Sequence, residues 1–376
     1  MRILAITATY PPSTNGISIS IRIQKEEFEK RGHKFVVLAP KHPQEISQAD
    51  VVRLPSLPNP KIPDYPIILP FPSPSQFNRL SRGFDLVYFH HPFIVADLAF
   101  LLARTNNCPA VFFHHTQYSD HMTSFIPKVL PVKSISQWVD KQVTSQANRA
   151  DHVIVETPST KKIITAKGVT SPVSVIPTSR RFPPVSASKK SLRAKYKLPL
   201  SHTILLCVSR LSKEKNLDTL IEAFAAISRP GLLLCFAGMG PDSARLQNLA
   251  SKLNLTNIIF LGNIPFSDIQ EVYALADIFV YPSLTDTQAI VILESMSQGL
   301  PVIAFHAPGP KDFVAHGRSG FLARTPRQLA RYMQVLSSQP QLLTRLSAHS
   351  QKLSQKYSLD QSIDKTETLF KKTISR

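Results

Sequence analysis

Short apolar runs recur along the chain and alternate with longer amphipathic segments. Arg2–Thr9 is such a run, and Phe35–Ala39, Leu86–Phe89, Ala110–His114 and His152–Glu156 follow it. Between the first two, Ile17–Lys30 has helical periodicity and closes at Gly32, a residue suited to a helix C-cap. Further helices are predicted near 94–105 and 134–150. Strand, helix, strand in that order predicts parallel pairing, since a parallel neighbour needs a crossover.

The second half has the same texture. Predicted strands at Ile204–Val208, Leu232–Ala237, Ile258–Leu261, Ile278–Val280 and Pro301–Phe305 alternate with helices at Asp218–Ala226, Ser243–Leu253, Ser267–Ala274 and Ala289–Gln298. A chain of 376 residues favours two domains. The fold class is therefore α/β, with two doubly wound parallel sheets and a cleft expected between them. In such sheets ligands bind beyond the carboxyl ends of the strands. Residues 180–197 hold seven Lys or Arg and no acid, which reads as the linker between halves. Residues 55–74 hold eight prolines, which predicts an extended surface segment: a lid, a membrane-facing loop or a connector.

Composition narrows the partners. Lys and Arg number 44 against 25 Asp and Glu, a formal charge of +19. That excess calls for an acidic partner, whether nucleic acid, anionic membrane or a phosphorylated substrate. Nothing resembles a zinc-finger spacing or an aromatic RNA-binding motif, so no specific nucleic acid is expected. Residues 179–376 carry 25 cations against 13 acids and residues 1–178 carry 19 against 12, so the field is spread. The cysteines Cys108, Cys207 and Cys235 form no close pair, which argues against a disulfide framework and for a reducing cytoplasm. The opening apolar run is too short for a secretory signal and reads as a buried first strand. No stretch reaches the ~18–20 apolar residues of a membrane span.

Four constellations can carry chemistry. Asn15-Gly16 follows the first strand and opens a helix, which suits either a phosphate at a helix N-terminus or a simple turn. Arg210 and Lys215 flank a strand exit and a helix entrance; they can clamp a diphosphate or line a solvated basic loop. Asp286 precedes a helix, where an acid can be no more than an N-cap. Glu294 lies two turns in, among Ile290, Ile292 and Leu293, where a carboxylate needs a partner or a ligand hydroxyl. His90-His91 and His114-His115 end neighbouring strands with His121 nearby, as satisfied strand-end histidines or as metal ligands. No Asp-x-Asp motif, Walker A motif or nucleophile elbow is present.

Taken in order, Tyr10-Pro11-Pro12, Asn15-Gly16, Lys30-Arg31-Gly32-His33 and His115-Thr116-Gln117-Tyr118 continue into Arg210-x4-Lys215 and Gly238-x-Gly240-Pro241. Asp286-x7-Glu294 then runs into Ser297-x-Gly299-Leu300-Pro301-Val302. Over nearly the whole chain this series resembles the retaining GT-B glycosyltransferases of family four. His115 to Tyr118 with Asp120, and Thr285-x-Thr287-Gln288, resemble the bacterial 1,2-diacylglycerol 3-alpha-glucosyltransferases in particular.

The resemblance implies a GT-B fold of two Rossmann-like domains. The N-terminal, acceptor-side domain would span 1–178 and the donor domain 179–355, with a helical segment 356–376 packing back on the first. It implies a nucleotide-sugar co-substrate, with no resident cofactor and no metal. Arg210 and Lys215 would bind the donor diphosphate with Gly16 beside it, and Glu294 the ribose hydroxyls. Gln288, Ala289 and Ile290 would complete the donor site. His115 would face the reacting sugar, and Asp286 would stand where the family has a glutamate that contacts the hexose. The implied reaction moves a hexose to a lipid such as diacylglycerol, from UDP-glucose first and GDP-mannose second. The enzyme would be cytoplasmic and peripheral on the inner face of the cell membrane, attached to an anionic lipid surface. Ile135, Trp138, Val139 and Val143 form one face of a helix that would meet that surface or pack in a core. Asp286, Ala289 (where glycine is usual) and Ser179 at the domain junction motivate a second reading, a non-catalytic module binding nucleotide sugar or membrane. A soluble acceptor is a third.

Overall fold

A computed structural model describes residues 1–13, 15–45, 47–59, 66–119 and 131–376. The chain forms two compact units, Met1–Arg180 with Leu359–Arg376, and Arg181–Ser358.

In the first unit, strands β1 (Arg2–Ile6), β2 (Lys34–Pro40) and β3 (Val51–Leu54) share a sheet with four later strands. Ser56–Leu57 (β4) and Ile67–Ile68 (β5) form a separate antiparallel pair. The sheet continues with β6 (Leu86–Phe89), β7 (Ala110–His114), β8 (His152–Val155) and β9 (Val173–Val175). The order is β3-β2-β1-β6-β7-β8-β9, all parallel. Alternate side chains serve two cores. Leu4, Ile6, Val36 and Leu38 pack on one face, Ile3, Ala5, Phe35 and Val37 on the other. The C-terminal helix Leu359–Ile374 seals the second face. Its Phe370 stacks on Phe28 and meets Tyr88 edge-on, Arg31 donates to Glu367, and Ser362 Oγ donates to Pro177 O at 2.7 Å.

The second unit repeats the plan with β10 (Thr203–Val208), β11 (Leu232–Ala237), β12 (Ile258–Gly262), β13 (Ile278–Tyr281), β14 (Val302–Phe305) and β15 (Gly320–Ala323). Its order is β12-β11-β10-β13-β14-β15, also parallel. Cys207 and Cys235 are fully buried in its two cores as small apolar groups, and burial pushes both thiols up to about 12. In each sheet the order reverses direction once, between β1 and β6 and between β10 and β13. Those are the switch points where an open α/β sheet leaves room for a ligand.

Several expectations change. The edge strands β3, β9 and β15 and the helices Pro158–Ala166, Pro326–Ser338 and Pro340–Ser354 have no counterpart in the periodicity reading. The Pro-rich segment is not extended throughout: a helix starts at Pro74, with Ser73 and Gln76 forming a reciprocal capping box. The helix Val132–Arg149 has a divided face. Val139 and Val143 are buried and Ile135 is half-buried, whereas Trp138 is 55% exposed. Among the described residues no helix is long and apolar enough to cross a membrane.

Candidate active site

The switch point of the second unit is built on two strand exits. After β10 the chain runs through Ser209-Arg210-Leu211-Ser212 into a 3-10 turn at Lys213–Lys215. Asn216 breaks that turn from the next helix in the left-handed region, φ 56°, which asparagine tolerates. The glycines of Gly238-x-Gly240 hold this loop in place. Leu211 N donates to Met239 O, and a Cβ at Gly238 would lie 2.0 Å from Ser209 O and one at Gly240 2.3 Å from Leu211 O. These glycines let one backbone lie directly on the backbone that carries Arg210.

Both cations rest on carboxylates. Arg210 donates to Glu214 Oε1 at 2.6 Å, and Ser212 Oγ donates to the same oxygen. Lys215 Nζ donates to Asp286 Oδ1 at 2.7 Å, and Tyr281 OH donates to Asp286 Oδ2 at 2.6 Å. Burial opposes ionisation of Asp286, but the adjacent Lys215 ammonium and its hydrogen bond prevail and hold the carboxyl below its usual range. Burial and the Asp286 charge push the Tyr281 phenol well above its ordinary value.

Asp286 is not an N-cap. The helix Ile290–Ser297 is preceded by Ala289, at φ 60° and ψ 66°, and has no side-chain cap. Glycine adopts that conformation without cost; alanine does not. Gly309 lies against the turn, since a Cβ there would be 2.5 Å from Asp286 O. One face of the helix carries Glu294 into the interior, 2% exposed, where Tyr273 OH donates to its Oε2 at 2.6 Å. Thr287 and Gln288 are buried beside the turn; Ala289 and Ile290 are partly exposed at its head.

In the first unit, Asn15 caps the helix Gly16–Lys30: its Oδ1 accepts from Ser18 N at 3.0 Å, and its Nδ2 donates to Thr9 Oγ1 at 2.7 Å. A Cβ at Gly16 would meet nothing within 4 Å. His90 and His91 follow β6 at the switch point, and Ala8 N donates to His91 Nδ1 at 3.1 Å. His115 follows β7, buried, with Nε2 2.9 Å from His90 Nδ1 and Nδ1 3.0 Å from Glu156 Oε1. Its ring, expected to face the reacting sugar, thus has a protein group at each nitrogen. Burial lowers His90 well below the ordinary histidine range. Desolvation likewise lowers His91 to about 3 and His114 to about 4. Among the described residues no group of three or more His, Cys, Asp or Glu is arranged to hold a metal ion. Asp120 and His121 lie outside the described residues.

The structure therefore joins Lys215 to Asp286, and keeps Arg210 and Glu294 on partners of their own. Sequence reasoning did not single out Glu214, Tyr281, Tyr273 or Glu156. The visible signal was a polar residue closing an apolar run, as Tyr281 closes β13 and Glu156 follows β8.

Comparison with known proteins agrees with the fold. The family model "Glycosyltransferase Family 4" matches residues 14–179, and "Glycosyl transferases group 1" matches residues 188–353. The chain is 24% identical over 396 residues to an alpha-monoglucosyldiacylglycerol synthase of Acholeplasma laidlawii, covering all of this chain and 98% of that one. It is 28% identical over 337 residues to a GDP-mannose-dependent alpha-mannosyltransferase of Mycobacterium tuberculosis, covering 86% and 83%. Among solved structures, Anabaena HepE in complex with UDP-glucose superposes with a TM-score of 0.76 at 19% identity, over 98% of this chain and 99% of that one. Two parallel-sheet units with these structural neighbours define a GT-B fold. The chain belongs to glycosyltransferase family 4, near the diacylglycerol glucosyltransferases.

Proposed function

We propose that this protein transfers a hexose from a nucleotide sugar to a lipid hydroxyl at a membrane surface, with retention of configuration and without a metal. UDP-glucose and diacylglycerol are the first choice of donor and acceptor. One observation carries the reading: at the β10/β13 switch point two cations, Arg210 and Lys215, stand parked on carboxylates beside a helix without a side-chain cap. That is a site prepared for a diphosphate, which would exchange with Glu214 at Arg210 and share Lys215 with Asp286.

In the reaction the bond from the sugar's C1 to the phosphate oxygen breaks. A bond from C1 to the acceptor oxygen forms on the same face, and the acceptor's proton passes to the departing phosphate. Charge builds on the diphosphate, where Arg210 and Lys215 stabilise it. Glu294 holds the ribose hydroxyls, and Gln288, Ala289 and Ile290 line the donor. Gly16 gives the diphosphate access to a backbone helix terminus. His115 borders the sugar, and Asp286 reaches it only by sharing its oxygens with Lys215 and Tyr281. The protein acts in the cytoplasm, peripherally on the inner face of the cell membrane. Its +19 charge and the exposed Trp138 support that placement.

The mycobacterial relative, named for GDP-mannose, favours a second donor. Incubating the protein with UDP- or GDP-hexoses and diacylglycerol vesicles, then analysing lipids by mass spectrometry, separates the donors. A water-soluble product would point to a soluble acceptor. Nucleotide-induced thermal stabilisation without any product would favour a non-catalytic binding module. Unchanged turnover in Arg210→Ala and Glu294→Ala would sink the proposed site.

A further inference from the structure

Three neighbouring strands, β6, β7 and β8, deliver one polar side chain each to a buried line. His90 follows β6, His115 follows the last residue of β7, and Glu156 follows β8. Glu156 Oε1 lies 3.0 Å from His115 Nδ1, and His115 Nε2 lies 2.9 Å from His90 Nδ1. The two imidazole planes lie 16° apart with centroids 5.2 Å apart, close to coplanar. Thr178 Oγ1 donates to the same Glu156 oxygen at 3.2 Å, tying the line to the end of the first unit. All three members are buried, at 0%, 5% and 7% exposure for His90, His115 and Glu156.

With both rings neutral, the donors and acceptors in this line have one consistent order. A carboxylate only accepts, so the proton lies on His115 Nδ1. The neutral ring then offers Nε2 as an acceptor, and His90 must supply the proton from its own Nδ1. Burial disfavours the doubly protonated ring of His90, which leaves its Nε2 bare; that atom has no hydrogen-bond partner.

We propose that Glu156 and His90 are positioning residues: together they fix the tautomer and the plane of His115, so that it borders the sugar as a locked neutral ring and not as a group that exchanges protons. Each histidine ring nitrogen between Glu156 and His90 is already assigned. The part of this inference that concerns turnover rests on the glycosyl-transfer reading; the proton order does not.

Two measurements test it. With histidine-selective 15N labelling of the full chain, the rings of His90 and His115 should appear as neutral Nδ1–H tautomers, and Glu156→Ala should abolish that form at His115. In turnover, His90→Asn keeps an amide N–H near the Nδ1 position and should stay within about threefold of wild type. His90→Phe should lose on the order of tenfold in kcat with an unchanged donor KM. Both rings carrying their proton on Nε2 would overturn the proposal. So would equal kcat losses in His90→Asn and His90→Phe at equal thermal stability. If the wild type forms no glycosylated product, the transfer reading fails, and the NMR result still decides the proton order.

Discussion

Tyr281 gives its phenolic hydrogen to one oxygen of Asp286 at 2.6 Å and leaves the other oxygen to Lys215. Asp286 is therefore a bound counter-ion of Lys215. A second pair has the same form, with Tyr273 on Glu294 at 2.6 Å. Each phenol donates to a carboxylate drawn away from water and offsets part of that desolvation. Tyr281→Phe should lower stability by about 1–3 kcal/mol, as expected when a buried charged acceptor loses its donor. Urea unfolding measures it, and a change below a few tenths of a kcal/mol would refute the assignment.

Ala289 carries a left-handed backbone at the head of the Glu294 helix. A left-handed conformation costs an L-residue roughly 1–2 kcal/mol, partly offset by the greater unfolded-state freedom of glycine. Ala289→Gly should therefore raise stability by up to about 1 kcal/mol. A lower urea midpoint in this variant would show that the Ala289 methyl contributes more by packing than it costs in strain.

The α/β alternation was legible because parallel strands covered on both faces are continuous apolar runs, as in Leu-Leu-Leu-Cys-Phe-Ala at β11. The edge strands were not. Val51-Val-Arg-Leu and Val173-Ser-Val are short and half-exposed, and lack that signature. Arg210, Lys215, Asp286 and Glu294 were visible as polar residues at strand exits or in an apolar helix. Glu214 and Tyr281 lie only four and five residues from Arg210 and Asp286, but the partners of Glu294 and His115 were hidden by distance along the chain. Glu156 stands 41 residues from His115 and Tyr273 stands 21 from Glu294, and only the sheet order and helix packing bring them together.

The buried histidines make stability depend on pH. His91 and His114 titrate near 3 and 4 in the folded state, and His90 also lies well below its ordinary value. Unfolding returns each to roughly 6.5, so the unfolded chain binds protons first. The stabilising contribution is complete above about pH 6.5 and is lost as pH falls through the folded values, at up to roughly 1.4 kcal/mol per pH unit for each ring. Urea midpoints should decline from pH 7 to pH 5. A flat profile would contradict the burial of these rings.

Trp138 is the sole tryptophan and is 55% exposed on the helix Val132–Arg149. Its fluorescence therefore reports on one surface. Anionic vesicles should shift it to the blue, and added salt should reverse the shift as the Debye length falls to ~8 Å near 0.15 M. Emission unchanged at saturating vesicles would remove this helix from the membrane contact.

Transfer of a hexose to lipid by the Arg210–Lys215 site is open to direct test. Its most direct measurement is lipid mass spectrometry after incubation with UDP-glucose and diacylglycerol vesicles, for wild type and for Lys215→Ala. A hexosyl-diacylglycerol should form with the wild type and fall on the order of a hundredfold in the variant. Equal product from both proteins, or no hexosyl lipid from any nucleotide hexose, would contradict it.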